Sequence, residues 1–337
     1  MTRACTPGSS SWSEQPADEE FASVVSVTGL AQPQPGVLAF GTTHHAYLEL
    51  DRHPQLTPQA LVAAVRVIEN AVLTGAGCTV VVGFRPEVWR DLALGACPDG
   101  LRGFEDAVVG DDGFSMPATQ HDVILWVAGG SRDVVFDAAT AAVHELADVA
   151  AVAEESEGWT YQHHRDLTGF EDGTENPPLV ETPTIALVPA DRPGAGGSVL
   201  LLQRWRHDAE AWGALDVADQ ERAIGRTKVG SIELDPKPAS AHAARTDQDE
   251  VGKIVRRNLA YGTVTRHGTM FVGLCRDREV LHEMLRRMAG IDGEPRDELT
   301  RYSRAETGAY YFLPSLTDLV ELGADDSSAG ASATPGP

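Results

Sequence analysis

The apolar residues of this chain come in short runs, and their spacing alternates between that of a strand and that of a helix. His45–Leu50 (HAYLEL) alternates with a period of two, and Thr57–Thr74 then sets Leu61, Val65, Ile68 and Val72 on one helical stripe. Thr57 followed by Pro58 suits a helix N-cap and first helical position. Cys78–Phe84 (CTVVVGF) and His121–Ala128 (HDVILWVA) read as buried strands, with a helix expected from Asp133 to about Ala153. The order then recurs. Ser198–Arg206 (SVLLLQRWR) is a strand, Ala209–Ile224 is helical, and Thr269–Cys275 (TMFVGLC) is a strand. Asp277–Ala289 turns Val280, Leu281, Met284, Leu285 and Met288 to one side, and Ala309–Leu313 closes as a short strand. A strand–helix–strand order met twice predicts an α+β protein of two similar halves rather than one doubly wound sheet.

Apolar content falls away at both ends, so residues 1–35 and 323–337 are expected to be disordered. The connection Glu233–Arg266 is long, irregular and rich in His, Arg and Asp, and such a segment inside a compact domain is usually functional or disordered. The formal charge of −23 disfavours nucleic acid and anionic membranes as partners. The four cysteines have neither CxxC nor metal-ligand spacing, which fits idle thiols in a reducing compartment. No apolar leader or run of membrane-spanning length is present, so a cytoplasmic protein is expected.

Common catalytic signatures are missing. Gly225–Ser231 (GRTKVGS) lacks the lysine before the serine of a phosphate-binding loop, and His144-Glu145 and His282-Glu283 lack the second histidine of a zinc-protease helix. What stands out is Gly169–Pro177 (GFEDGTENP), preceded by Arg165-Asp166-Leu167-Thr168. Its glycines allow a tight turn that presents Asp172, although a turn-capping aspartate would read the same in isolation. Ala239–Arg245 (ASAHAAR) sets His242 among small residues, and Ile254–Asn258 (IVRRN) follows. Singly, these would pass for a structural histidine and surface arginines.

Taken together, RDLTGFEDGTENP, the HAAR segment, IVRRNLAYG and Thr307–Ser315 (TGAYYFLPS) resemble the dye-decolorizing peroxidase family, and within it the bacterial B type. Ser115–Gly129 and Gln34-Pro35-Gly36 are similar to it as well, so the resemblance covers about residues 33–322. It implies a peroxidase domain over 36–322, built as two ferredoxin-like halves of the dimeric α+β barrel type (about 36–168 and 182–322), with one haem b bound between or beside them. It puts the proximal iron ligand on His242, the distal aspartate on Asp172, the distal arginine on Arg256 rather than Arg257, and the distal asparagine on Asn258. The ligand's second ring nitrogen needs an acceptor, for which Asp297 and Asp292 are candidates.

The implied activity is reduction of hydrogen peroxide, with dyes, phenols or Mn(II) giving up single electrons. Arg256 would offset charge on the leaving oxygen, while Asp172 and Asn258 would relay the proton. A haem-handling protein with incidental peroxidase activity is the alternative. Relatives form homo-oligomers, and some are packaged in an encapsulin shell through a C-terminal signal, of which the tail ASATPGP carries no recognisable form.

Overall fold

Runs buried on both faces, such as Val123–Ala128 and Val199–Leu202, need a layer on each side of their sheet, and a closed ring of strands with helices outside it supplies both. The structure, a computed structural model, describes residues 31–57, 59–61, 77–92 and 97–320. Its strands are β1 (His44–Arg52), β2 (Cys78–Phe84), β3 (Val108–Val109), β4 (Ser115–Met116), β5 (Val123–Gly129), β6 (Ala150–Trp159), β7 (Ser198–His207), β8 (Val255–Arg256), β9 (Leu259–Gly262), β10 (His267–Cys275), β11 (Ser303–Ala305) and β12 (Ala309–Leu313). Eight of them pair in the order β7-β12-β2-β5-β1-β6-β9-β10, and β10 pairs back onto β7. Every pairing is antiparallel.

The two expected halves are visible in that order. Numbering strands within each run of four, β2-β5-β1-β6 and β9-β10-β7-β12 both read second, third, first, fourth, the ferredoxin-like arrangement. One cluster, including Tyr47, Trp126, Leu200, Leu202, Met270, Val272 and Tyr311, fills the ring. The alternate residues (Leu48, Leu125, Leu201, Phe312) face outward into a second cluster with the helices. The α-helices among the described residues are α1 (Pro86–Leu92), α2 (Arg132–Leu146), α3 (Thr182–Ala186), α4 (Ala209–Ala214), α5 (Val217–Ile224), α6 (His242–Arg245), α7 (Gln248–Val251) and α8 (Arg278–Ala289), of which α1, α2 and α8 supply the second cluster.

Several expectations need correction. The helix expected to reach about Ala153 ends at Leu146, and Ala150–Trp159 is β6 instead. Its Ala and Glu residues favour a helix, but pairing with β1 along its whole length overrides that preference. Ala209–Ile224 is two helices, because Asp216 leaves the helical path and caps the second through Asp219 N (2.8 Å). The irregular connection holds α6, α7, β8 and β9. Residues 31–35, placed in the disordered segment, are ordered: Gln34 is 1% exposed, and its amide bonds Val82 N, Val82 O and Pro314 O at 2.8–2.9 Å. The helix Thr57–Thr74 lies mostly outside the described residues, but its cap is present, with Ala60 N donating to Thr57 Oγ1 (3.3 Å). The ends 1–30 and 321–337 also lie outside them.

Candidate active site

Outside the ring, β7, β10 and α8 line a cleft. Leu201, Gln203 and Trp205 of β7 and Phe271 of β10 form one wall, and Leu281, Met284, Leu285 and Met288 of α8 form another. The cleft is lined largely by apolar side chains, and His242, Asp172, Arg256 and Asn258 all reach it, so the structure brings together all four residues singled out in the sequence.

His242 begins α6, and its Nδ1 is 2.7 Å from Asp297 Oδ2. Asp297 is fully buried, and its other oxygen caps the turn Glu298–Arg301 through Leu299 N (2.9 Å). Backbone bonds from Asp297 N to Met288 O (3.0 Å) and from Glu298 N to Ser240 O (2.8 Å) tie this acceptor to α8 and to the approach to His242. Burial works against charge on His242, yet the charge and hydrogen bond of Asp297 carry its pKa above the ordinary histidine value. With Nδ1 engaged, Nε2 is the ring nitrogen left for a ligand in the cleft. Asp292, the other candidate acceptor, is exposed and ion-paired with Arg286.

Asp172 is held by its loop. Asp172 N donates to His164 O (2.9 Å), and Gly173 N donates to Asp172 Oδ1 (2.6 Å). The loop needs its glycines at two points. Gly169 has φ +90°, and a Cβ there would meet Lys228 Cε at 2.9 Å; Gly173 has φ +75°. Gln162, His163 and His164 also adopt positive φ, so non-glycine backbone strain sits just ahead of Asp172.

Strand alternation separates the two arginines. Arg257 turns away from the cleft, 8% exposed, donating to Gly36 O (2.6 Å), Ala39 O (2.5 Å) and Thr42 Oγ1 (3.0 Å) and lying 4.3 Å from the Trp126 ring centroid. Arg256 faces the cleft, and its Nε is buried with no protein partner. Between β8 and β9, Asn258 Oδ1 accepts Val272 N (3.0 Å) in place of a backbone carbonyl, which turns its carboxamide toward the cleft.

Two residues of the quoted strings had been given no role. Asp166 lines this cleft and a second, solvent-open cavity behind Asp172. Burial, with the charge of Asp172 adding to it against the Thr168 hydrogen bonds, pushes its pKa up to about 6. The Asn176 carboxamide receives Arg256 N and donates to Arg256 O, both at 2.8 Å. The signal for each was its place in the string, but the contact depends on a strand some 80 residues away.

Comparison with known proteins identifies the family. Residues 59–160 match the family description "Dyp-type peroxidase, N-terminal", and residues 163–318 match "Dyp-type peroxidase, C-terminal". A dye-decolorizing peroxidase of Mycobacterium tuberculosis is 36% identical over 250 residues, covering 71% of this chain and 73% of that protein. A DypB variant from Rhodococcus jostii, solved in complex with heme, superposes with TM-score 0.77 at 31% identity, covering 86% of this chain and 99% of that one. The encapsulated DyP-type peroxidase of Mycobacterium smegmatis gives the same TM-score and identity, covering 86% of this chain and 97% of that one. With both family regions matched in order and the relatives sharing about a third of their residues, this chain belongs to the Dyp-type peroxidase family and is a peroxidase.

Proposed function

We propose that the chain holds one non-covalent haem b in the cleft and uses it to reduce hydrogen peroxide, with dyes, phenols or Mn(II) as one-electron donors. The observation that carries this reading is the placement of a carboxylate-braced His242 and of Asp172, Arg256 and Asn258 around one apolar cleft. The residues fit the group. A flat apolar macrocycle suits walls of Leu, Met, Phe and Trp, His242 offers Nε2 to iron, and the buried, unpartnered Arg256 Nε lacks an acceptor that a ligand would provide. The sequence has no C-x-x-C-H run for covalent attachment, which favours haem b.

A haem held by His242 would supply the redox chemistry, the electrons for breaking the O–O bond of peroxide. The chain's own residues do the rest. Asp297 orients His242 and holds the Nδ1 proton, which strengthens Nε2 as a donor. Asp172 takes the proton from the inner peroxide oxygen at its carboxylate and returns it to the outer one. The permanently charged Arg256 offsets the negative charge developing on the outer oxygen, and Asn258 orients the peroxide by hydrogen bonding. The apolar walls keep bulk water away and so strengthen these interactions.

The −23 charge argues against nucleic acid as a partner, and no helix among the described residues is long and apolar enough to cross a membrane. A cytoplasmic homo-oligomer fits these features. Likeness to an encapsulated peroxidase makes an encapsulin shell a partner to test by co-expression.

The experiment is an absorption spectrum of protein reconstituted with haem, before and after one equivalent of hydrogen peroxide, then with a phenolic donor. A Soret band that changes within milliseconds and returns with the donor is expected. A Soret band indifferent to peroxide would overturn the reading in favour of haem handling.

A further inference from the structure

We infer that Asn176 is a positioning residue for peroxide reduction: its carboxamide fixes the strand bearing Arg256 against the loop bearing Asp172. The inference rests on the distal roles proposed above. β8 is paired with β10 along one edge only, through Val255 and Arg256 opposite Leu274 and Gly273. On the other edge, among the described residues, no strand pairs with Arg256. Asn176 stands there instead, with Oδ1 accepting Arg256 N and Nδ2 donating to Arg256 O, both at 2.8 Å. One side chain thus makes both bonds that a neighbouring strand would make to this residue.

The geometry joins two parts of the distal group that are otherwise independent. Asn176 lies four residues after Asp172 in the same loop, and its own N–H donates to Gly173 O (2.9 Å), so its backbone moves with the Asp172 turn. The Asn258 amide fills the ladder position just beyond Arg256, on the β10 side. Arg256 is therefore held on one edge by β10 with Asn258 and on the other by the Asp172 loop. Its side chain receives no such fixing, since Nε is buried without a protein partner. The direction in which the guanidinium enters the cleft is set through its backbone, and a misplacement of about 1 Å at a reacting centre can cost about a hundredfold in rate.

Only a group that both donates and accepts can do this, and that makes the inference testable. In Asn176→Asp the ionised carboxylate accepts from Arg256 N but repels Arg256 O, whereas the protonated carboxyl restores both bonds. His45, His163, His164, Glu171, Asp166 and Asp172 line the same cavity with Arg165, Arg256 and Arg257, and Glu175 is the neighbouring residue, paired with Arg226. All are present in both proteins, so the variant-to-wild-type ratio is the quantity to read.

The probe is sodium fluoride bound to the ferric, haem-reconstituted protein, because distal hydrogen-bond donors govern its affinity. The same ratio is measured for the peroxide-driven Soret change. The ratio for Asn176→Asp should be about tenfold or more below one near pH 8, one lost hydrogen bond being worth about that factor, and should rise as the pH is lowered and the carboxyl takes up its proton. Asn176→Leu should be low at both pH values while keeping its Soret band. A ratio that does not change with pH, at whatever level, overturns the inference, as does a loss of melting temperature with unchanged fluoride affinity. Hydrogen exchange of the segment around Arg256 in haem-free protein supplies an arm independent of haem. It should quicken in Asn176→Leu, and it separates failure of this inference from failure of the haem reading.

Discussion

Replacing Asp297 by Asn changes one atom of a fully buried carboxylate that makes two bonds, to His242 Nδ1 (2.7 Å) and from Leu299 N (2.9 Å). An amide cannot keep both. With Nδ2 toward His242, two donors meet unless the ring moves its proton to Nε2, which removes the lone pair that would bind iron. With Oδ1 toward His242, Leu299 N faces an N–H group and the Glu298–Arg301 turn loses its cap. A lost hydrogen bond to a charged group costs about 1.5–3 kcal/mol, and loss of such a supporting partner typically costs about 10–100-fold in metal-site affinity. The assay is haem release into an excess of haem-free acceptor protein, followed by decay of the Soret band. Release about 10–100-fold faster than wild type is expected, with far-ultraviolet dichroism retained. Release within about twofold of wild type would refute the reasoning that Asp297 braces the iron ligand.

Two further predictions follow from buried carboxyls. Glu49 lies among the ring's buried residues, 4% exposed and accepting Tyr311 OH at 2.6 Å, and burial pushes its pKa up to about 7 against 4.5. A raised folded-state pKa stabilises the protein below the unfolded value and loses that contribution as pH rises through the folded one, here between about 4.5 and 7, by about 3 kcal/mol. Denaturant unfolding should show wild type losing stability relative to Glu49→Gln across that window, and parallel curves would exclude the effect. Asp166 is neutral below about pH 6 and ionised above it, next to Asp172. The pH profile of the peroxide reaction should therefore carry a step near 6 that Asp166→Asn abolishes, and a step persisting in the variant would assign it to another group.

Elements buried on both faces were the most legible in the sequence. Cys78–Phe84 and Ala309–Leu313 have in the structure the bounds their apolar runs predict. β6 was not legible, because half of Ala150–Trp159 is exposed and its residues are helix-forming; its pairing with β1, and at its end with β9, makes it a strand. The short β8 and β9 were hidden because Arg257 and Asn258 break the apolar pattern, although the pairing register with β10 continues on both sides of them. In the site, His242, Asp172, Arg256 and Asn258 came from recognisable strings. What each one touches did not. The choice of Asp297 over Asp292 depends on a contact across 55 residues, and Asn176 acts on a backbone 80 residues away. Local spacing carries no information about such partners.

If Arg256 serves the peroxide while His242 holds the iron, their losses separate in stopped-flow spectroscopy of haem-reconstituted wild type, Arg256→Leu and His242→Ala against hydrogen peroxide. Arg256→Leu should keep a Soret band like wild type yet change with peroxide at least about a hundredfold more slowly, the scale of removing one charge-stabilising donor, while His242→Ala should lose haem or its axial ligand. An Arg256→Leu protein that responds to peroxide at the wild-type rate would show that Arg256 does not serve the peroxide.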